Sequence, residues 1–139
     1  MRMLKHWWLA VAFALLALGC ASTGGKADKL HEAQYAWSAA IRWGDFEGAW
    51  NLVDSAYRQA HPMTPVEFER YKHVGISRYH DLGTQTLPDG DVVREIDLGV
   101  INKHTMTERG MRYTERWHYD AEAKAWWQMN GLPDLWSGE

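Results

Sequence analysis

The sequence predicts an α+β fold, with about three N-terminal helices packed on a curved antiparallel sheet. Three observations carry that prediction. Apolar residues recur at helical spacing from Asp28 onwards, the apolar period changes to two after Gly75, and polar turn segments divide the second half into strand-length runs. The chain has 139 residues, 46% of them hydrophobic, which suits one domain with a packed core. Nine tryptophans are many for that length, and the seven after Cys20 must enter the core or form a sticky surface.

In the first predicted helix Leu30, Ala33, Trp37, Ala40 and Ile41 form one apolar stripe of a 3.6-residue repeat. Gly44 offers a stop, and Asp45 can cap a second helix in which Phe46, Ala49, Trp50, Val53 and Tyr57 repeat the spacing. The third helix is the best signposted. Thr64 is its N-cap, Pro65 its first residue and Glu67 the partner in a capping box, with Met63 and Phe68 placed as a hydrophobic staple. Its apolar side is Phe68, Tyr71 and Val74, and Gly75 ends it.

A strand is expected over Ile76–Leu87, then a tight turn at Pro88–Asp91. Next, Arg94, Ile96, Leu98 and Val100 alternate with Glu95, Asp97, Gly99 and Ile101. Residues 103–110 are polar and read as a turn or bulged bend. Met111, Tyr113, Glu115, Trp117 and Tyr119 then share one face, opposite Arg112, Thr114, Arg116 and His118. A hairpin loop at Asp120–Lys124 leads to a last strand with Trp126, Gln128 and Asn130 on one side, and Pro133 bars further ladder pairing. Trp136, in an irregular tail, either folds back as a plug or is a contact residue.

The N-terminus has a different character. Arg2 and Lys5 precede an uncharged, mostly apolar run of 12 residues, Trp7–Leu18. A helix crossing a bilayer needs about 20 residues, so the run fits the core of a secretory signal instead. Ala17-Leu18-Gly19-Cys20 follows and resembles the lipobox of bacterial lipoproteins, with Ala17 where leucine is commoner. The resemblance implies a diacylglycerol on the Cys20 sulfur, cleavage before Cys20, and a fatty acyl chain such as palmitate on the new amine. Ala21, rather than Asp, then points to the outer membrane. Ala17-x-Gly19 also satisfies the rule for plain secretion, but Cys20 is the single cysteine of the chain and has no disulfide partner within it. Each buried acyl CH₂ contributes about 0.8 kcal/mol of membrane affinity. The expected organisation is a signal peptide over 1–19, a lipidated Cys20 with a flexible tether over 20–27, and the folded domain over 28–139.

The helix-turn "AIRWGDFEGAWNLVD", the capped "MTPVEFERY" helix and the terminal "RYTERWHYDAEAKAWW" hairpin follow in that order over about residues 30–130. That order and those stretches resemble the NTF2-like superfamily, the fold of nuclear transport factor 2 and ketosteroid isomerase. It implies a cone with a pocket at its open end, and homodimers paired through the sheet. Its members are both enzymes and non-enzymatic domains, so the fold does not fix a function. No residue here matches one of their catalytic positions.

His31, His61, His73, His80, His104 and His118 form no H-x-H or H-E-x-x-H pattern, so no metal and no cofactor are expected. His80 and Asp81 are neighbours on a strand and face opposite sides, so they form no dyad, and either serves singly as an acid or base only where it meets a pocket. Glu115 lies among aromatics on the apolar face. Such a carboxylate either holds a proton for catalysis or pairs with an arginine of the next strand, such as Arg94. Trp37, Trp50, Trp117, Trp126, Trp127 and Trp136 either line a ligand pocket or fill the core. No nucleophile motif or phosphate-binding glycine loop occurs. After Gly19 there are 13 basic and 18 acidic residues, a net −5 without a basic cluster, so nucleic acid is not an expected partner. The expectation is a lipid-anchored, non-enzymatic binding module on the periplasmic side of the outer membrane. It would meet the membrane through its lipid and bind an envelope protein. The alternatives are an acid–base enzyme of isomerase or dehydratase type and a carrier of a small hydrophobic ligand.

Overall fold

The computed structural model describes residues 25–137. The signal segment, Cys20 and the first residues of the expected tether lie outside that range. Helices α1 (Gly25–Trp43), α2 (Phe46–Trp50), α3 (Ser55–Ala60) and α4 (Pro65–Tyr71) precede strands β1 (Val74–Thr86), β2 (Val92–Asn102), β3 (Glu108–Asp120) and β4 (Ala125–Gln128). The strands form one antiparallel sheet in the order β1-β2-β3-β4, with the helical region packed against it. No helix among the described residues is long and apolar enough to cross a membrane.

Helix α1 buries the predicted stripe, with Trp37 and Ile41 wholly enclosed and Leu30, Ala33 and Ala40 packed around them. It begins at Gly25, so 25–27, read as the end of a tether, are its first turn. The Trp126 indole fixes that turn by donating to the Lys26 carbonyl at 2.9 Å. At the other end Gly44 takes φ +76°, and the Asp45 N–H reaches back to the Ala40 carbonyl at 2.9 Å, the six-to-one bond of a glycine C-cap.

The second predicted helix is two helices, which makes four helices rather than three among the described residues. The chain leaves the helical path after Trp50 because Val53 runs beside β4. Leu52 accepts from the Gln128 N–H at 3.0 Å, and the Asp54 N–H donates to the Gln128 carbonyl at 2.8 Å. Asp54 then caps α3 by accepting from the Tyr57 N–H at 3.0 Å. In α4 the capping box forms as expected, with Thr64 and Glu67 bonded reciprocally. The helix stops at Tyr71, not Gly75, since Val74 already pairs with Asn102 in the sheet.

Alternation in β2 and β3 matches the sequence reading. Arg94, Ile96, Leu98 and Val100 face inward with Glu115 and Trp117, against Trp37 and Ile41 of α1. Strand β1 carries two bulges, between Ile76 and Arg78 and between Asp81 and Gly83. β4 ends at Gln128, two residues before the expected Asn130, whose side chain instead serves the Thr114 carbonyl and the Arg116 N–H. Gly131 follows at φ +77°, where a Cβ would stand 2.7 Å from the Tyr57 ring. The tail folds back. Leu135 is fully buried, the Trp136 ring meets Tyr71 edge-on at 4.8 Å, and the Arg70 guanidinium lies 4.2 Å over that indole.

Candidate functional site

Inward alternation on two adjacent strands places Arg94 of β2 directly opposite Glu115 of β3. Both are buried, Glu115 completely. One carboxylate oxygen, Oε2, accepts from Arg94 Nη2 at 2.8 Å, Arg94 Nε at 3.0 Å and the Trp117 indole at 3.0 Å. The other, Oε1, accepts from the Tyr113 hydroxyl at 2.6 Å and from the Tyr79 hydroxyl. Trp37 of α1 closes the cluster. Its indole donates to the Tyr113 oxygen at 3.1 Å, and its ring meets Trp117 edge-on at 6.0 Å.

This is a fully satisfied polar network in an apolar shell, the form in which a buried charge is tolerated. Burial first, and then the Glu115 charge, push the Tyr79 and Tyr113 hydroxyls well above their ordinary range, so both remain donors. Burial pulls Arg94 down, but the Glu115 charge and hydrogen bonds outweigh it and hold the guanidinium above its usual value. Glu115 therefore takes the second of its two sequence-derived readings, pairing with Arg94.

The other candidates stand apart from it. His80 and Asp81 are exposed on β1, on opposite faces as expected. Asp81 shares the inner face with Arg94 but reaches only 3.8 Å from its Nη1, at the rim. Tyr79, between Arg78 and His80, is the residue of this stretch that enters the core, and the sequence reading passed over it. Its signal was the alternation that also aligns it with Leu98.

No family model, curated protein or solved structure matches the chain. The site must be judged on its own geometry, and so must the outer face of the sheet. There Asp91, at the start of β2, accepts from His118 Nδ1 at 2.6 Å and from Arg116 Nε at 2.7 Å. Burial pushes the Asp91 carboxyl up, but the bonds from His118 and Arg116 outweigh it and hold it below the usual carboxylate range. Sequence spacing does not announce this cluster, because its members are 25 and 27 residues apart. Among the described residues, no group of three or more histidine, cysteine, aspartate or glutamate side chains converges as a metal site.

The tryptophans divide between core and surface. Trp37, Trp117 and Trp126 are buried, and Trp50, Trp127 and Trp136 are half-buried. Trp43 is 87% exposed at the end of α1. It edges a groove of about 420 Å³ shared with Arg42, Ile76, Ser77, Arg78 and Tyr79.

Proposed function

We propose that the chain is a lipid-anchored bacterial envelope protein whose NTF2-like domain, closed as a cone, is a non-enzymatic binding module at the periplasmic side of the outer membrane. One observation carries the non-enzymatic part. Both oxygens of the most deeply placed carboxylate, Glu115, are occupied by five donors of the protein itself. A general base needs a free acceptor within reach of substrate, and this one has none. Support for the anchor is the Ala17-Leu18-Gly19-Cys20 run and the lack of a second cysteine. Support for the cone is the order of capped helices followed by a meander of long strands.

The contact surface in this reading is the rim around Trp43. Tryptophan and arginine dominate binding hot spots, and here an exposed indole stands beside Arg42. The outer sheet face is a poorer choice for an apolar contact, because Arg78–Asp97, Arg112–Glu95 and Arg116–Asp89 ion pairs cover it.

Co-purification of the full chain from gently solubilised membranes tests the reading. An envelope protein should accompany the wild type in stoichiometric amount and be lost with Trp43→Ala. If no protein accompanies the wild type, the binding-module reading fails. Cys20→Ser should free the chain from membranes, and unchanged retention refutes the anchor.

A further inference from the structure

We propose that His73 and His104 form a binding site for a divalent transition-metal ion of the zinc, nickel and copper(II) class. The two residues are 31 apart in sequence and come from different elements. His73 follows α4, and His104 sits in the turn between β2 and β3. The fold brings their rings together, with His104 Nε2 3.2 Å from His73 Nδ1, ring centres 5.1 Å apart and planes 27° from parallel.

That separation is the argument. Two nitrogens bound to one tetrahedral zinc at about 2.0–2.1 Å stand roughly 3.3 Å apart, so the pair already spans the edge of such a site to about 0.1 Å. The backbone fixes the spacing. The His73 carbonyl accepts from the Lys103 N–H at 3.0 Å, tying the two segments together, and the Asn102 side chain holds the His104 N–H at 2.9 Å. Both imidazoles are exposed, so an ion reaches them without unfolding anything. Lys72, the cation next to His73, is drawn aside by Glu69 at 2.8 Å.

Binding needs no other reactant. In the empty pair one ring donates its N–H to the other. Moving that proton to the donor ring's outer nitrogen frees both facing lone pairs for the ion. Imidazole suits zinc, copper and nickel, whereas calcium and magnesium demand oxygen ligands. With two protein ligands, water fills the remaining positions and the site stays open to a further donor.

Calorimetric titration of zinc chloride into the tag-free full chain in detergent, near neutral pH, should show one ion bound per chain. His73→Gln and His104→Gln should each weaken binding at least tenfold, while His80→Gln and His118→Gln leave it unchanged. A second measurement avoids substitutions altogether: substoichiometric nickel should broaden the His73 and His104 imidazole proton resonances before those of any other histidine. No saturable zinc uptake, uptake that survives either glutamine variant, or broadening that begins at another histidine overturns the proposal.

Discussion

The inner and outer faces of the sheet use the same contact, an arginine against a carboxylate from another segment, to different ends. On the inner face Arg94 and Glu115 are out of water, and each polar atom of the carboxylate is met by a donor. On the outer face Arg116 holds Asp91 and Asp89, and Arg78 holds Asp97, with the guanidinium groups open to solvent. Charges in water attract weakly and are screened by salt. Charges in the core have given up their hydration and depend on their partners. The difference teaches that the inner pair selects one register of β2 against β3: a one-residue slip of β3 would turn Glu115 outward, set Thr114 or Arg116 opposite Arg94, and leave the Arg94 charge unpaired in the core.

The largest expected effect comes from breaking the inner pair. Glu115→Ala strands the Arg94 charge and removes the acceptor of the Tyr79 and Tyr113 hydroxyls. Loss of one member of a buried pair costs about 3–5 kcal/mol, against a total stability of about 5–15 kcal/mol for a domain. Urea unfolding of the variant should show that loss as a fall in midpoint at unchanged slope. If Glu115→Ala costs no more than an outer-face substitution, the comparison collapses.

This inner pair was legible in the sequence because strand alternation is local. Arg94 and Glu115 each sit at the centre of a clean period-two run, and opposition across a hairpin follows. The α4 start was legible for a similar reason, since Thr64, Pro65 and Glu67 satisfy one another within four residues. Where the reading failed, partners from afar decided. Gln128 of β4 interrupts the helix predicted across Asn51–Asp54, and Asn102 claims Val74 for the sheet before Gly75 can serve as a helix stop. Tyr79 was overshadowed by its titratable neighbours His80 and Asp81, although alternation across Arg78–Asp81 sets it inward opposite Leu98. The pairing of Asp91 with His118 lies one step beyond Val92–Trp117 on the same register, but the turn expected over Pro88–Asp91 leaves Asp91 outside the strand.

A smaller, pH-dependent effect should come from Asp91. Its folded ionisation lies below the unfolded value of about 3.9. Above that value its contribution is fully present. As pH falls toward the folded value, the unfolded chain takes up the proton first and stability drops. Asp91→Asn should cost about 1.5–3 kcal/mol at neutral pH, the range for hydrogen bonds to a charged group, and should flatten the acid limb of stability against pH below about pH 4. Chemical denaturation at pH 7, 5, 4 and 3 reads both. An acid limb as steep in the variant as in the wild type would assign the acid sensitivity to other carboxylates.

The smallest effect should come from Arg78. Its guanidinium donates to Asp97 through Nε at 2.9 Å, yet 43% of its side chain is exposed, and Glu108 offers a second carboxylate at 3.7 Å. The Asp97 hydrogen bond raises the Arg78 ionisation and lowers that of Asp97, so the pair does form. What limits it is water, which solvates both groups nearly as well when the strands part, and the entropy of holding a long side chain in place. Arg78→Ala should therefore leave the urea midpoint unchanged in 0.5 M salt and lower it only slightly in dilute buffer. A loss that persists at high salt would show that Arg78 acts by packing its aliphatic stem over Gly99, where a side chain would meet the Arg78 Cβ.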